Sequence, residues 1–173
     1  MRWPRTPIAS VDVSSQFHLA TRAIAVDVNL GGRRHVRGDV FIHRVTASHG
    51  GEENVDDLMN DDSVFFPVRL RPPETGTVLV AKAHVHYMIV PPLGGDARVA
   101  VEREAAARLE VSVELDDDEV LQGAIFAALP PERRRALDFL NAPGNAFFVL
   151  VQENNDCLVN RARVQLVRDV PGA

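Results

Sequence analysis

Residues 55–66 read VDDLMNDDSVFF, and residues 136–148 read ALDFLNAPGNAFF. Both stretches contain an Asp, an Asn three residues later and then a pair of phenylalanines, with apolar residues spaced i, i+3 and i+4 before the Asn. This spacing places the apolar side chains on one face of a short helix. An Asn after such a helix is typical of a left-handed C-terminal residue. We therefore expect two short helices, ended by Asn60 and Asn141, that each lead into an aromatic strand.

The similarity between the two stretches extends along most of the chain. Setting Gly38 on Gly123 aligns the alternating runs IAVDVNL and LEVSVEL, and the segments that follow them, without a gap. With small shifts in the polar segments, where loops tolerate insertions, Leu79 falls on Leu158. These matches in order predict a tandem duplication. The alternative is chance matching of alternating apolar residues.

Each copy reads as β structure. Strict alternation of apolar and polar residues is the period of a half-buried strand, and each copy holds four or five such short runs. So few strands, in a unit of about 60 residues, bury a core by curling into a small barrel. The predicted fold is mainly all-β, with two tandem small barrels and a short helix between strands 2 and 3 of each. The expected parts are an N-terminal extension (1–19), a first barrel (20–92), a linker with the helix-forming run VEREAAAR (93–106) and a second barrel (107–170).

The strand segments resemble a known family. VSVELDDDEVLQGAI is similar to the first two strands of the bacterial Sm-like RNA chaperones of the Hfq type, and VAKAHVHYMIVP to their strand pair with a Val-x-Lys-His motif. GDVFIHRV followed by DDLMN resembles the Sm pattern of a Gly with Asp and Asn further on. The chain also resembles uncharacterised bacterial small-barrel domains with an Asp-x-Leu-Asn element. The resemblance implies SH3-like or Sm-like barrels.

The same resemblance bears on RNA binding. Lys82 matches the lysine of the RNA-contacting Lys-His pair of the family, whereas Ala83 stands at the histidine position. In the second copy, Arg161 and Ala162 occupy the two positions. The family's RNA pocket is therefore only partly represented in this chain.

Composition restricts the classes of partner. The 173 residues have a formal charge of −5, and this excess falls entirely in residues 94–173. Nucleic-acid binders normally carry a basic surface, so nucleic acid is a disfavoured partner. No apolar run reaches the roughly 18 residues of a membrane span, and the first residues lack the apolar core of a signal peptide. Together with the single Cys157, this predicts a cytoplasmic protein without a membrane partner.

The histidines suggest one metal site. His84 and His86 are two residues apart, which puts both imidazoles on one face of a strand, and His43 on a neighbouring strand would add a third nitrogen ligand. The alternative is that all three are solvent-facing polar residues, because the second copy has Arg163 and Gln165 at the positions of the pair.

The acidic clusters and Cys157 can be explained by structural roles. Acidic side chains crowd residues 56–62 and 116–119, and could act as acid and base or hold Mg²⁺, but acids are also common at helix starts and turns. Cys157 lies in an apolar strand pattern and reads as a core residue. We expect neither a catalytic residue nor a cofactor, and hence no enzyme.

The hairpin LGGRRHVRG is the best candidate for anion binding, through Arg33, Arg34 and Arg37. The leading hypothesis for function is nevertheless a non-enzymatic bacterial adaptor or assembly module that acts through protein contacts or self-association at barrel edges. The duplicated chain could mimic a dimer, or three chains could form a ring of six barrels. The alternative is Sm-like binding of RNA or a nucleotide through the Arg33–Arg37 hairpin and Lys82.

Overall fold

A computed structural model describes residues 21–43, 52–130 and 135–170 of the chain. The predicted N-terminal extension, residues 1–19, lies outside the described residues.

The described residues of the first half form five strands, one α-helix and one 3-10 turn. The alternating run IAVDVNL, except for its last residue Leu30, falls within the first strand, as its period predicts. In chain order the elements are β1 (Thr21–Asn29), β2 (His35–His43), α1 (Val55–Asn60), β3 (Phe65–Leu70), β4 (Thr77–Ala81), a 3-10 turn (Lys82–His84) and β5 (Tyr87–Val90).

The second half repeats this order of elements. A 3-10 turn (Leu93–Gly95) and helix α2 (Ala97–Ala105) connect the halves, and α2 contains most of the predicted helix-forming run. The elements that follow are β6 (Ala107–Leu115), β7 (Val120–Ala127), α3 (Ala136–Asn141), β8 (Phe147–Val151), β9 (Asp156–Asn160), a 3-10 turn (Arg161–Arg163) and β10 (Val164–Asp169).

All ten strands belong to one sheet, in the order β10-β6-β7-β8-β9-β5-β1-β2-β3-β4. The antiparallel pairing follows the same register in both halves. The pairs are Asn29–Tyr87 and Val28–Met88 in the first half, and Glu114–Leu166 and Val113–Val167 in the second. The predicted all-β class is confirmed. The tandem barrels remain a prediction, because the hydrogen-bonded strands form a single continuous sheet.

Two hydrophobic clusters form the core. The first takes buried side chains from all five strands and the helix of the first half, and the second takes them from β6, β7, α3, β8 and β9, with Val167 of β10 packed against it. Each half therefore has a core of its own, to which all of its described strands contribute.

Gly38 and Gly123 occupy equivalent places where the second and third strands of each half meet. A Cβ atom on Gly38 would collide with the carbonyl oxygen of Arg69, and one on Gly123 would lie 2.5 Å from the carbonyl oxygen of Val151. The glycines that aligned the two copies are thus needed for the close approach of two backbones, and not for the bulge or bend that their position in the sequence indicates.

The two short helices are present, but their ends differ from the prediction. Neither Asn60 nor Asn141 has a positive φ, and the residues after them, Asp61 and Ala142, are extended or nearly so. Helix α1 begins with a capping box, in which Asn54 accepts from the backbone of Asp57 and the Asp57 side chain accepts from the backbone of Asn54. The predicted left-handed ending is wrong for both helices, because the chain leaves each of them in an extended or nearly extended conformation.

Within the described ranges, no helix combines the length and the apolar character that crossing a membrane requires.

Candidate functional site

The two halves of the chain meet through strand pairing. Strand β5 of the first half pairs antiparallel with β9 of the second, with Tyr87 opposite Val159 and Met88 opposite Leu158. This pairing joins two five-stranded units edge to edge, because every backbone group on a facing edge needs a hydrogen-bond partner. We call this contact the internal seam.

The Asn60 side chain extends the seam beyond the strands. Its Oδ1 accepts from the backbone N–H of Phe147 at 2.9 Å, and its Nδ2 donates to the carbonyl oxygen of Phe147 at 3.2 Å. The amide group thereby bonds the first residue of β8 as a neighbouring strand would. Nδ2 also lies 2.9 Å from Oδ1 of Asp56, which holds the side chain in this orientation.

Apolar side chains cross the seam in both directions. Phe147 and Leu158 belong to the second half but are 2% and 0% exposed within the core of the first half. Tyr87 of the first half packs into the core of the second. Burial and its hydrogen bond to Glu119 raise the pKa of the Tyr87 hydroxyl. Each core is therefore completed by residues from the other half.

The acidic hairpin between β6 and β7 contacts the first half. One Glu119 oxygen accepts from the Tyr87 hydroxyl at 2.7 Å and the other from the Asn29 amide at 3.3 Å. Asp117 accepts from the backbone N–H of Gly32 at 2.6 Å. Several carboxylates of the predicted acidic turn thus have a structural role in the seam.

Two polar residues of the second half cover the 3-10 turn of the first. The buried Asn160 donates to the carbonyl oxygen of Val85 at 2.9 Å, and Arg163 donates to that of Ala83 at 2.6 Å. Carbonyl groups at a turn need such partners when they are buried. At the equivalent positions of the first half, the chain has Ala81 and His84 instead.

The outer edges of the sheet carry the counterparts of the seam. Strands β4 and β10 are the terminal strands of the sheet, and within the described part of the chain each pairs with only one other strand, β3 and β6 respectively. Phe65 and Leu79, which correspond to Phe147 and Leu158, are 55% and 71% exposed. Leu166, which corresponds to Tyr87, is 38% exposed, and Asn141, which corresponds to Asn60, is exposed. Counterparts of these four seam side chains are thus present at the outer edges of the sheet, where they are exposed.

The structure separates the three histidines predicted to bind metal. His43 is exposed at the end of β2, and His84 is exposed in a 3-10 turn, so that the alternation of a strand does not apply to His84 and His86. His86 is buried and faces Asp116 and Asp117 across the seam. Among the described residues, these last three form the one group with metal-ligand spacing.

The four residues predicted to bind anions also lie in different environments. Lys82 is buried, and its Nζ lies 2.7 Å from Oδ1 of Asp61, so it is committed to an ion pair. Arg34 is exposed. Arg33 and Arg37 line a cleft of about 830 Å³ that is formed by the first half except for Asn155, and Arg37 is paired there with Asp27 at 2.8 Å.

The structure also gives the surroundings of Asp56, Asp61 and Cys157. Burial, with the neighbouring Asp57 carboxylate, raises the pKa of Asp56 to about 6. Burial also raises the pKa of Asp61, but its hydrogen bonds from Lys82 and Ser63 outweigh this and hold that pKa below the usual value. Cys157 is fully buried in the second core, as predicted, and burial raises the pKa of its thiol.

Sequence reasoning missed Tyr87, Glu119 and Asn160, which form much of the seam. Their signal lies in the differences between the copies, because the aligned positions hold Leu166, Arg34 and Ala81. The polar residues that join the halves thus stand at positions where the two copies differ.

No protein-family model matches the chain, and no match was found among curated proteins or among solved structures. What the protein does is therefore argued from its own geometry.

Replacing Asn60 by Ala should lower the free energy of unfolding by about 1–3 kcal/mol, because the Phe147 backbone loses both partners in a partly buried contact. The measurement is urea denaturation at low protein concentration. Asn141→Ala is the matched control, since it removes the equivalent Asn from the equivalent helix, and should change stability by less than about 0.5 kcal/mol. Equal losses for the two variants would show that Asn60 acts only within its own helix.

Proposed function

We propose that the protein is a non-enzymatic assembly module of the bacterial cytoplasm, built from two SH3-like or Sm-like barrels that arose by duplication, and that it binds protein strands at its outer edges. The equal strand registers and the separate cores of the two halves support the duplication and the barrels. The preferred partner is a second copy of the same chain. The observation that carries this proposal is the exposure of Phe65 and Leu79, whose counterparts are buried in the seam.

The internal seam supplies the register of the proposed contact. Transferring the β5–β9 pairing to β10 of one chain and β4 of the next places Leu166 opposite Val80 and Val167 opposite Leu79. Leu79 would then enter the second core of one chain, and Leu166 the first core of the other. Both side chains would leave water, which is the main favourable term in association.

Charge supports the same orientation. At the positions of Asn29 and Glu119, which bond across the internal seam, the proposed contact has Glu114 and Arg34. A hydrogen bond within the chain is thus replaced by a pair of opposite charges between chains. The basic hairpin of one chain would face the acidic hairpin of the next, and such complementarity favours the correct orientation of partners.

The two edges differ, so the contact is head-to-tail. A head-to-tail contact yields a closed ring or an open filament. If each contact between chains repeats the geometry of the internal seam and the rotation closes, the subunits form a pseudo-symmetric ring with two barrels per chain. Three chains would give the predicted ring of six barrels.

Blocking one edge at a time tests the proposal. The variants Leu79→Lys and Leu166→Lys each place a charge on one edge, and both original side chains are exposed, so folding should be retained. We expect oligomers for the wild type, monomers for each variant alone and a one-to-one dimer for their mixture, because each variant keeps the edge that the other lacks. Multi-angle light scattering measures the mass. Val101→Lys is the control, since Val101 is 66% exposed on α2 and is not part of either edge.

A wild-type chain that remains monomeric at high concentration would eliminate self-assembly. If the wild type forms dimers and one of the two variants still dimerises alone, a symmetric contact through the unaltered edge would replace the head-to-tail one.

Anion binding is the second candidate function. It is favoured by the cleft that Arg33 and Arg37 line together with His35 and Arg71. The pairing of Arg37 with Asp27 and of Arg71 with Asp39 weakens it, because these guanidinium groups already have carboxylate partners. Lys82 does not contribute to this cleft, so the ligand would be held by the arginines alone.

Fluorescence polarisation with U-rich and A-rich RNA at two salt concentrations measures this second function. If RNA binds in the cleft, the triple variant Arg33→Ala, Arg34→Ala, Arg37→Ala should lose binding and most of its salt dependence. Equal binding by the wild type and this variant would eliminate the cleft as the RNA site.

A further inference from the structure

His86 lies in the internal seam, where one ring nitrogen faces two carboxylates without a hydrogen bond to them. The residue is 8% exposed, and its Nδ1 makes no hydrogen bond with any described residue. That nitrogen is 3.3 Å from Oδ1 of Asp116 and 3.3 Å from Oδ2 of Asp117, both of which belong to the second half. The other side of the ring contacts Gly31, where a Cβ atom would lie 2.8 Å from Nε2. The ring is thus fixed with Nδ1 directed at two carboxylates.

The three candidate ligand atoms lie close together, all within 4.8 Å of one another. Two ligands at about 2.0–2.2 Å from a zinc ion lie about 3.3–3.5 Å apart at the tetrahedral angle. The observed separations of 3.3 Å match this value. A buried nitrogen that lacks a hydrogen bond, at this distance from two oxygens, is explained by a cation between them.

We propose that His86 Nδ1, Asp116 Oδ1 and Asp117 Oδ2 bind one divalent transition-metal ion, with zinc as the expected ion. An imidazole ligand favours a transition metal over Mg²⁺ or Ca²⁺, which prefer oxygen alone. The Asp116 side chain is 41% exposed, so water can reach the remaining coordination position. The two carboxylates balance the charge of the ion.

Neighbouring groups hold the carboxylates in place. The second oxygen of Asp116 lies 3.3 Å from a guanidinium nitrogen of Arg163, which is itself fixed by the Ala83 carbonyl group. Asp117 accepts from the Gly32 backbone. Hydrogen bonds to the ligands of a metal site commonly fix their orientation in this way.

The site exists only once in each chain. In the proposed contact between chains, Gln165 takes the place of His86, and Gly31 and Gly32 take the places of the two aspartates. The metal would therefore link the two halves of one chain and play no part in joining two chains. One ion per chain is expected for monomer and oligomer alike, so this proposal and the proposed function can fail separately.

Zinc titration of the metal-free full chain by isothermal calorimetry is the primary test. We expect one ion per chain for the wild type and a raised melting temperature. Asp116→Asn should weaken binding by at least about 100-fold, the upper end of what losing a supporting group alone costs. This variant replaces a partly exposed carboxylate by an isosteric amide, so it should still fold. His86→Gln should have the same effect, and His84→Gln and His43→Gln, which alter exposed histidines, should bind zinc like the wild type.

Cobalt supplies a second measurement. Adding Co²⁺ to the metal-free wild type should produce visible absorption bands of the strength typical of a low-coordinate site, and these bands should be absent from Asp116→Asn. A folded wild type that binds no zinc would overturn the proposal and leave His86 as a charged partner of the two carboxylates. Equal weakening by His84→Gln would also overturn it.

Discussion

The antiparallel pairing of β5 with β9 is the contact on which the rest of the structure depends. It turns two five-stranded units into one sheet, and it brings the residues of each half into the core of the other. Without it, Phe147, Leu158 and Tyr87 would lose their cover at once. The Asn60 amide, which bonds the Phe147 backbone like an additional strand residue, fixes the same contact from α1. A unit of this size is marginally stable alone, so the first effect of the seam is to stabilise the two halves of the chain.

The same seam explains why the two outer edges of the sheet still expose apolar side chains. Exposed strand edges with apolar side chains invite pairing with another chain, and natural proteins usually protect them. Here β4 exposes Leu79 and β10 exposes Leu166 instead. The two halves share one fold, yet their hairpins carry opposite charge, with arginines in the first and carboxylates in the second. In the proposed head-to-tail contact, these differences between the halves would give the assembly its direction.

The sequence alone was sufficient to predict the repeated strands and helices, but not the contacts that join the two halves. Alternation and the aligned glycines predicted the strands and the short helices, because these depend on local periodicity. The prediction that His84 and His86 lie on one face of a strand was wrong, because the 3-10 turn at Lys82–His84 interrupts the strand. Lys82 matched a motif but is buried against Asp61. The bond from Tyr87 to Glu119 joins residues far apart in the chain, and it depends on which edges meet, which no local pattern encodes.

Intermolecular disulfide formation tests the central claim most directly, because it reports the register as well as the contact. Chains with Leu79→Cys are mixed with chains with Val167→Cys under mild oxidation, and the native Cys157 is too deeply buried to compete. The seam register predicts a covalent dimer, since directly opposite residues in a strand pair have the Cα separation that a disulfide needs. Leu166→Cys, whose side chain points to the other face of the sheet, should cross-link poorly with Leu79→Cys. Equal cross-linking of both mixtures, or none, would contradict the account.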